Sequence, residues 1–167
     1  MISVPSIAKN LLENPTELGL REFIDAVSDT LIDPRKQRTY LTRSICEILV
    51  SEDMMRFSEY GELIDEVWMN KQQFEPQELS IILSTVKNSF GKFKQPVQRM
   101  QACVLFSNLS SLDEFASILL ELGDQQSALC GSVDEIIWEM RGLIKRHGVS
   151  TSKLKRLKNF TVQFSAN

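Results

Sequence analysis

Ser132–Gly148, SVDEIIWEMRGLIKRHG, reads as a single amphipathic helix with both ends marked. Ser132 followed three residues later by Glu135 is a capping-box pattern. In that pattern the hydroxyl and the carboxylate each take a backbone N–H that a first helical turn leaves unpaired. Val133, Ile136, Ile137, Met140, Leu143 and Ile144 then recur at three- and four-residue spacing, and Gly148 suits a helix stop.

The same grammar recurs upstream. Pro15, Pro34, Pro76 and Pro96 each stand at or just before a stretch of helical period, where a missing N–H costs nothing. Thr16 is placed to cap a helix bearing Leu20, Phe23, Ile24, Val27, Leu31 and Ile32. Leu41, Ile45, Ile48 and Leu49 form the next stripe, and Ser51 is placed to open a third helix carrying Phe57, Tyr60, Ile64, Val67 and Trp68. Pro76 opens a fourth through Leu79, Ile82, Leu83, Val86 and Phe90, with Gly91 suited to its C-terminal stop. Pro96 opens a fifth, whose Ala102–Phe106 run is apolar on every side, as in a helix covered on more than one face. Ser110 or Ser111 starts a sixth with Leu112, Phe115, Leu119 and Leu122, closed by Gly123.

Hairpin signals are lacking: there is no Asn-Gly or Asp-Gly, and period-two alternation is confined to Phe160, Val162 and Phe164. The expected fold is all-α, a compact bundle of about seven antiparallel or orthogonal helices, with a short solenoid of helix pairs as runner-up. Punctuation near every 20 residues fits helix pairs, but no residue pattern recurs as in a tetratricopeptide or ankyrin array. Residues 1–148 are expected to form one domain, and 149–167 a basic tail or an additional short helix.

Composition is that of a globular chain, 43% hydrophobic and 25% charged. The longest apolar run is five residues, against roughly 20 for a membrane span, so no transmembrane segment is expected. The first residues lack the basic start and apolar run of a secretory signal. Cys46, Cys103 and Cys130 are odd in number and widely spaced, as reduced small hydrophobes are, which points to an intracellular location, cytoplasmic or nuclear.

Chemistry is harder to find. His147 is the one histidine and stands at a helix end, where a cation is favoured by the dipole. Nucleophile–histidine catalysis would have to use that single site. The seven glycines form no phosphate-binding loop, and neither the cysteines nor His147 have the short ligand spacing of zinc sites. Glu62, Asp65 and Glu66 share one helical face, and Asp134, Glu135 and Glu139 repeat the theme. The glutamate–histidine pairing of carboxylate metal centres is missing, so both groups read as solvated acidic faces. No enzyme activity and no cofactor or metal is expected.

Charge gives the functional lead. All 22 acidic residues lie within 1–140 with 12 basic ones, whereas Arg141–Lys158 holds seven basic residues and no acidic one. The basic groups cluster at Arg35, Lys36, Arg38 and Arg43; at Lys87, Lys92, Lys94 and Arg99; and at Arg141, Lys145, Arg146, Lys153, Lys155, Arg156 and Lys158. Lys153–Lys158 combines four cations with leucines three apart, Leu154 and Leu157. This pattern suits an anionic partner, an anionic membrane surface or the acidic body itself. The expectation is a non-enzymatic interaction or regulatory protein that binds another macromolecule, a protein first, through a groove or its basic C-terminal end. Candidate contacts are Arg35, Lys36, Arg38, Lys92, Lys94, Arg141, Lys145, Arg146, Lys153, Lys155, Arg156 and Lys158. A nucleic-acid-associated factor using the basic patches is the first alternative, an enzyme with a carboxylate site the second, and self-association is compatible with each.

Overall fold

The computed structural model describes residues 4–32 and 38–111, together with 114, 115, 117, 118, 121 and 145; side chains 30–32 and 96 lie outside the description. The helices are α1 (Val4–Glu13), α2 (Glu17–Ile32), α3 (Arg38–Leu49), α4 (Glu52–Met55), α5 (Glu59–Met69), α6 (Pro76–Ser89) and α7 (Pro96–Leu109). Two 3₁₀ turns, Lys71–Gln73 and Phe90–Lys92, complete them, and no strand occurs among the described residues. The protein is all-α, as expected. It divides into two compact units, Met1–Ser89 and Phe90–Asn167. The boundary expected at residue 148, the tail beyond it and, apart from helical Lys145, the Ser132–Gly148 stretch lie outside the described residues.

Most helix starts follow their residues. Thr16 Oγ1 accepts the Gly19 N–H at 2.9 Å, the bond that makes threonine a cap. Glu78 folds back to accept the Glu75 N–H at 2.8 Å as Pro76 enters α6. Pro96 sits in the first turn of α7. Ser111 rather than Ser110 starts the sixth expected helix, its Oγ accepting the Glu114 N–H at 3.2 Å while Glu114 accepts the Ser111 N–H at 3.4 Å.

Three features depart from the expected plan. First, α1 was not anticipated; Val4, Ala8 and Leu11 make a short buried stripe, and Pro5 is harmless in the first turn. Second, the helix expected from Ser51 is two. On one continuous helix Met54 and Met55 would face away from Tyr60, Leu63, Ile64 and Val67, and the turn at 56–58 lets both sets be buried. Neither Ser51 nor Ser58 caps through its side chain. Third, Gly91 does not terminate α6, which ends at Ser89 and tightens into the 3₁₀ turn that contains Gly91.

In the first unit, α1 packs on α2 and α3, α2 on α5, and α3 on α6. Cross-helix bonds give the sense of these packings. Arg21 pairs with Glu62, and seven residues on Ser28 Oγ donates to Glu66 at 2.9 Å, so α2 and α5 run the same way. Along α3, Arg38 pairs with Glu75, Thr42 donates to Glu78 at 3.1 Å, and Cys46 Sγ accepts from Thr85 at 3.5 Å. α3 and α6 are therefore also parallel. The bonded partners are 36 to 39 residues apart in sequence for all four hydrogen bonds. Helices α2 and α3 thus each take a parallel partner one stretch further along the chain, α5 and α6 respectively.

The stack encloses Leu20, Phe23, Ile24 and Val27 of α2, Leu41, Ile45, Ile48 and Leu49 of α3, Tyr60, Leu63, Ile64 and Val67 of α5, and Ile82 and Val86 of α6. Each full burial of a large apolar side chain contributes about 1.5–3 kcal/mol. In the second unit Phe90 packs tilted against Phe93 and Phe106, at ring separations of 5.8 and 6.3 Å. Ala102, Cys103, Leu105 and Phe106 are buried and Val104 half-buried, as an apolar run on all sides implies. Cys46 is half-buried, and burial pushes its thiol up from the ordinary range, so it stays protonated near neutrality. No helix among the described residues is long and apolar enough to cross a membrane.

Candidate functional site

The two neighbours of α2 occupy opposite flanks and leave a ridge between them. Gly19 faces α1 so closely that an added Cβ would lie 2.8 Å from Leu11 Cδ1 and 2.9 Å from Thr16 Oγ1. Arg21 and Ser28, on the other flank, reach α5. Leu18, Glu22, Asp25 and Asp29, spaced by three and four residues, project outward and are exposed. We expect Gly19→Val to cost about 1–3 kcal/mol by overpacking, read as a lowered melting temperature. Gly19→Ala should cost less, because alanine regains about 1 kcal/mol of helix propensity.

On the α1 side, the ridge borders a recess of about 340 Å³ lined by Ile7, Asn10, Leu11, Asn14, Thr16, Gly19 and Glu22. Leu11 is buried and Ile7 half-buried, the two carboxamides Asn10 and Asn14 are exposed, and Glu22 belongs both to the recess and to the ridge. On the α5 side stand Glu62 and Glu66. Glu66 accepts from Ser28 and, at 3.1 Å, from Asn70 Nδ2, which also closes α5 on the Glu66 carbonyl at 2.8 Å. Asp65 accepts the Trp68 indole N–H at 3.1 Å. The three carboxylates singled out on α5 are thus each engaged, Glu62 and Glu66 with α2 and Asp65 within α5. Among the described residues no group of three or more histidine, cysteine or acidic side chains is placed to hold a metal.

The basic candidates divide differently. Arg38 is a strut, its guanidinium paired with Glu75 where Thr42 and Glu78 also tie α3 to α6. Arg43 pairs with Glu47 one turn along at 3.4 Å, on the exposed side of α3. Arg99 is buried and donates to the Phe93 carbonyl, so it is no part of a surface patch. Lys92, Lys94 and Lys145 are exposed and belong to the second unit. Arg35, Lys36, Arg141, Arg146, Lys153, Lys155, Arg156 and Lys158 lie outside the described residues, as does His147.

No known family, curated protein or solved structure matches this chain.

The geometry therefore stands on its own residues. Sequence reasoning passed over Glu22, Asp25 and Asp29, although their spacing opposite Leu20, Phe23 and Val27 already put them on the outer face. The recess had no such signal, because it depends on how closely Gly19 lets α1 approach. Among the described residues, the remaining large exposed apolar side chains are Tyr40, Val50, Met69, Ile81 and Val97. Scattered single residues of this kind are ordinary on a folded surface.

Proposed function

We propose that this is a non-enzymatic helical protein that works by binding another macromolecule, a protein first, with its basic C-terminal end as one contact. The observation that supports it most is the outward ridge of α2, a charged, exposed face on a helix held from both flanks. Rigid stacked helices present such faces without an ordering cost on binding, and arrays of them serve as extended recognition surfaces. Charge segregation adds a second contact of opposite sign. Residues 1–89 carry fifteen acidic and nine basic side chains, and Arg141–Lys158 carries only basic ones. Complementary charge of this kind steers encounter and selects partners.

The burial of Arg99 and the strut role of Arg38 remove two cations from any phosphate-binding surface, which favours a protein over nucleic acid. We read the location as intracellular, cytoplasmic or nuclear, from the odd and widely spaced cysteines.

The test is chemical crosslinking of the whole chain in cell extract, identification of linked proteins by mass spectrometry, and titration of the purified partner. A variant with Lys153, Lys155, Arg156 and Lys158 changed to glutamine is expected to bind that partner at least tenfold more weakly. Equal binding by the variant removes the basic end from the account. Tight, salt-sensitive binding to DNA or RNA with no protein partner would establish the alternative.

A further inference from the structure

We infer that the α2 ridge and its recess form a docking surface for the C-terminal basic series of a second copy of this chain. This goes beyond the function proposed above, which concerns what the ridge and the basic end do with other proteins. Two separate features meet at Glu22. One is the recess of about 340 Å³, whose lining includes buried Leu11 and half-buried Ile7 as its large apolar side chains and exposed Asn10 and Asn14 among its polar ones. The other is the line of exposed carboxylates, Glu22, Asp25 and Asp29.

A ligand for such a surface needs several cations and an apolar anchor close together. Exposed ion pairs contribute only about 0.2–1 kcal/mol each, so charge alone would not hold it. Lys153–Phe160 has that composition: four cations, with Leu154, Leu157 and Phe160 at three-residue spacing. Its size also fits. Leu18–Asp29 is twelve helical residues, about 18 Å at 1.5 Å each. The eight residues of the basic series span about 12 Å as a helix and up to about 28 Å extended. A contact between different surfaces of two copies is head-to-tail, so it extends with concentration and weakens with salt.

The experiment is sedimentation velocity of the full chain from micromolar to millimolar concentration, at 50 and 300 mM salt. The parallel arm titrates a labelled peptide of residues 149–167 into the full chain. Association at low salt, at least tenfold weaker at high salt, is expected. The triple variant Glu22→Lys, Asp25→Lys, Asp29→Lys should stay monomeric and bind the peptide at least tenfold more weakly, with an unchanged helical spectrum. If that variant fails to fold, Glu22→Gln, Asp25→Asn, Asp29→Asn takes its place with the same expected direction. A chain monomeric at every concentration overturns the inference, whether or not the peptide binds. So does association that the ridge variants leave unchanged. Either result leaves the binding of other proteins by the basic end untouched.

Discussion

Phe23→Ala is expected to lower the unfolding free energy by about 3–5 kcal/mol, while Leu18→Ala, five residues away on the same helix, should change it by less than about 0.5 kcal/mol. Phe23 is fully buried and Leu18 is 70% exposed, although both are large and apolar. Removing the Phe23 ring takes away its transfer energy and leaves a cavity that α2 and its neighbours can only partly close. Leu18 has little to lose in either respect. Chemical denaturation of both variants at pH 7 would read the difference directly. Comparable losses would mean that the ridge is packed in solution against something in the same molecule.

Tyr60→Ala should cost a similar amount, about 3–5 kcal/mol, and Tyr60→Phe about 1–2 kcal/mol. The ring is fully buried in α5, and its hydroxyl donates to the Leu49 carbonyl at 2.5 Å, at the end of α3. The last carbonyls of a helix have no partner within it, so this bond satisfies one of them across the α4 turn. Phenylalanine keeps the packing and leaves that carbonyl unsatisfied; alanine forfeits both. Burial also pushes the Tyr60 hydroxyl well above its ordinary value of 10.0. A pKa raised on folding means that the stability is fully present below the unfolded value and declines as pH rises past it. The stability advantage of the native protein over Tyr60→Phe should therefore hold up to about pH 10 and shrink above it. An advantage that grows with alkalinity would contradict this sign.

Fold class was legible because helix signals are local. Thr16, Pro76, Pro96 and Ser111 mark starts by chemistry within one turn, and each does so in the structure. The α1 helix carries Val4, Ile7, Ala8, Leu11 and Leu12 at helical spacing, and it was hidden because Pro5 reads as a helix breaker until it is placed in the first turn. The break at 56–58 was hidden for a related reason. Met54, Met55, Phe57 and Tyr60 look like one dense apolar stretch until each is placed around a helical wheel.

Pairing was the least legible level. Which helices lie together is decided by contacts 36 to 39 residues apart, such as Ser28 with Glu66 and Cys46 with Thr85. A serine and a glutamate at that distance carry no sign in sequence that they will meet. The same limit explains the charged residues. Arg38 and Arg99 look like surface cations in sequence, and only the fold turns one into a strut and the other into a buried donor. Glu22, Asp25 and Asp29 needed no long-range information, since α2 alone sets their direction.

α2 lies parallel to α5 and α3 parallel to α6, and the ridge exists only because α1 and α5 take opposite flanks of α2. Paired cysteines in a background with Cys46, Cys103 and Cys130 changed to serine test this arrangement. A short bis-maleimide should link Ser28→Cys to Glu66→Cys, and Arg21→Cys to Glu62→Cys, rapidly and within one chain. It should leave the pair Ser28→Cys and Glu59→Cys unlinked. Efficient linking of positions 28 and 59 with none between 28 and 66 would mean that α2 and α5 run in opposite senses, and the stacked arrangement would fall with it.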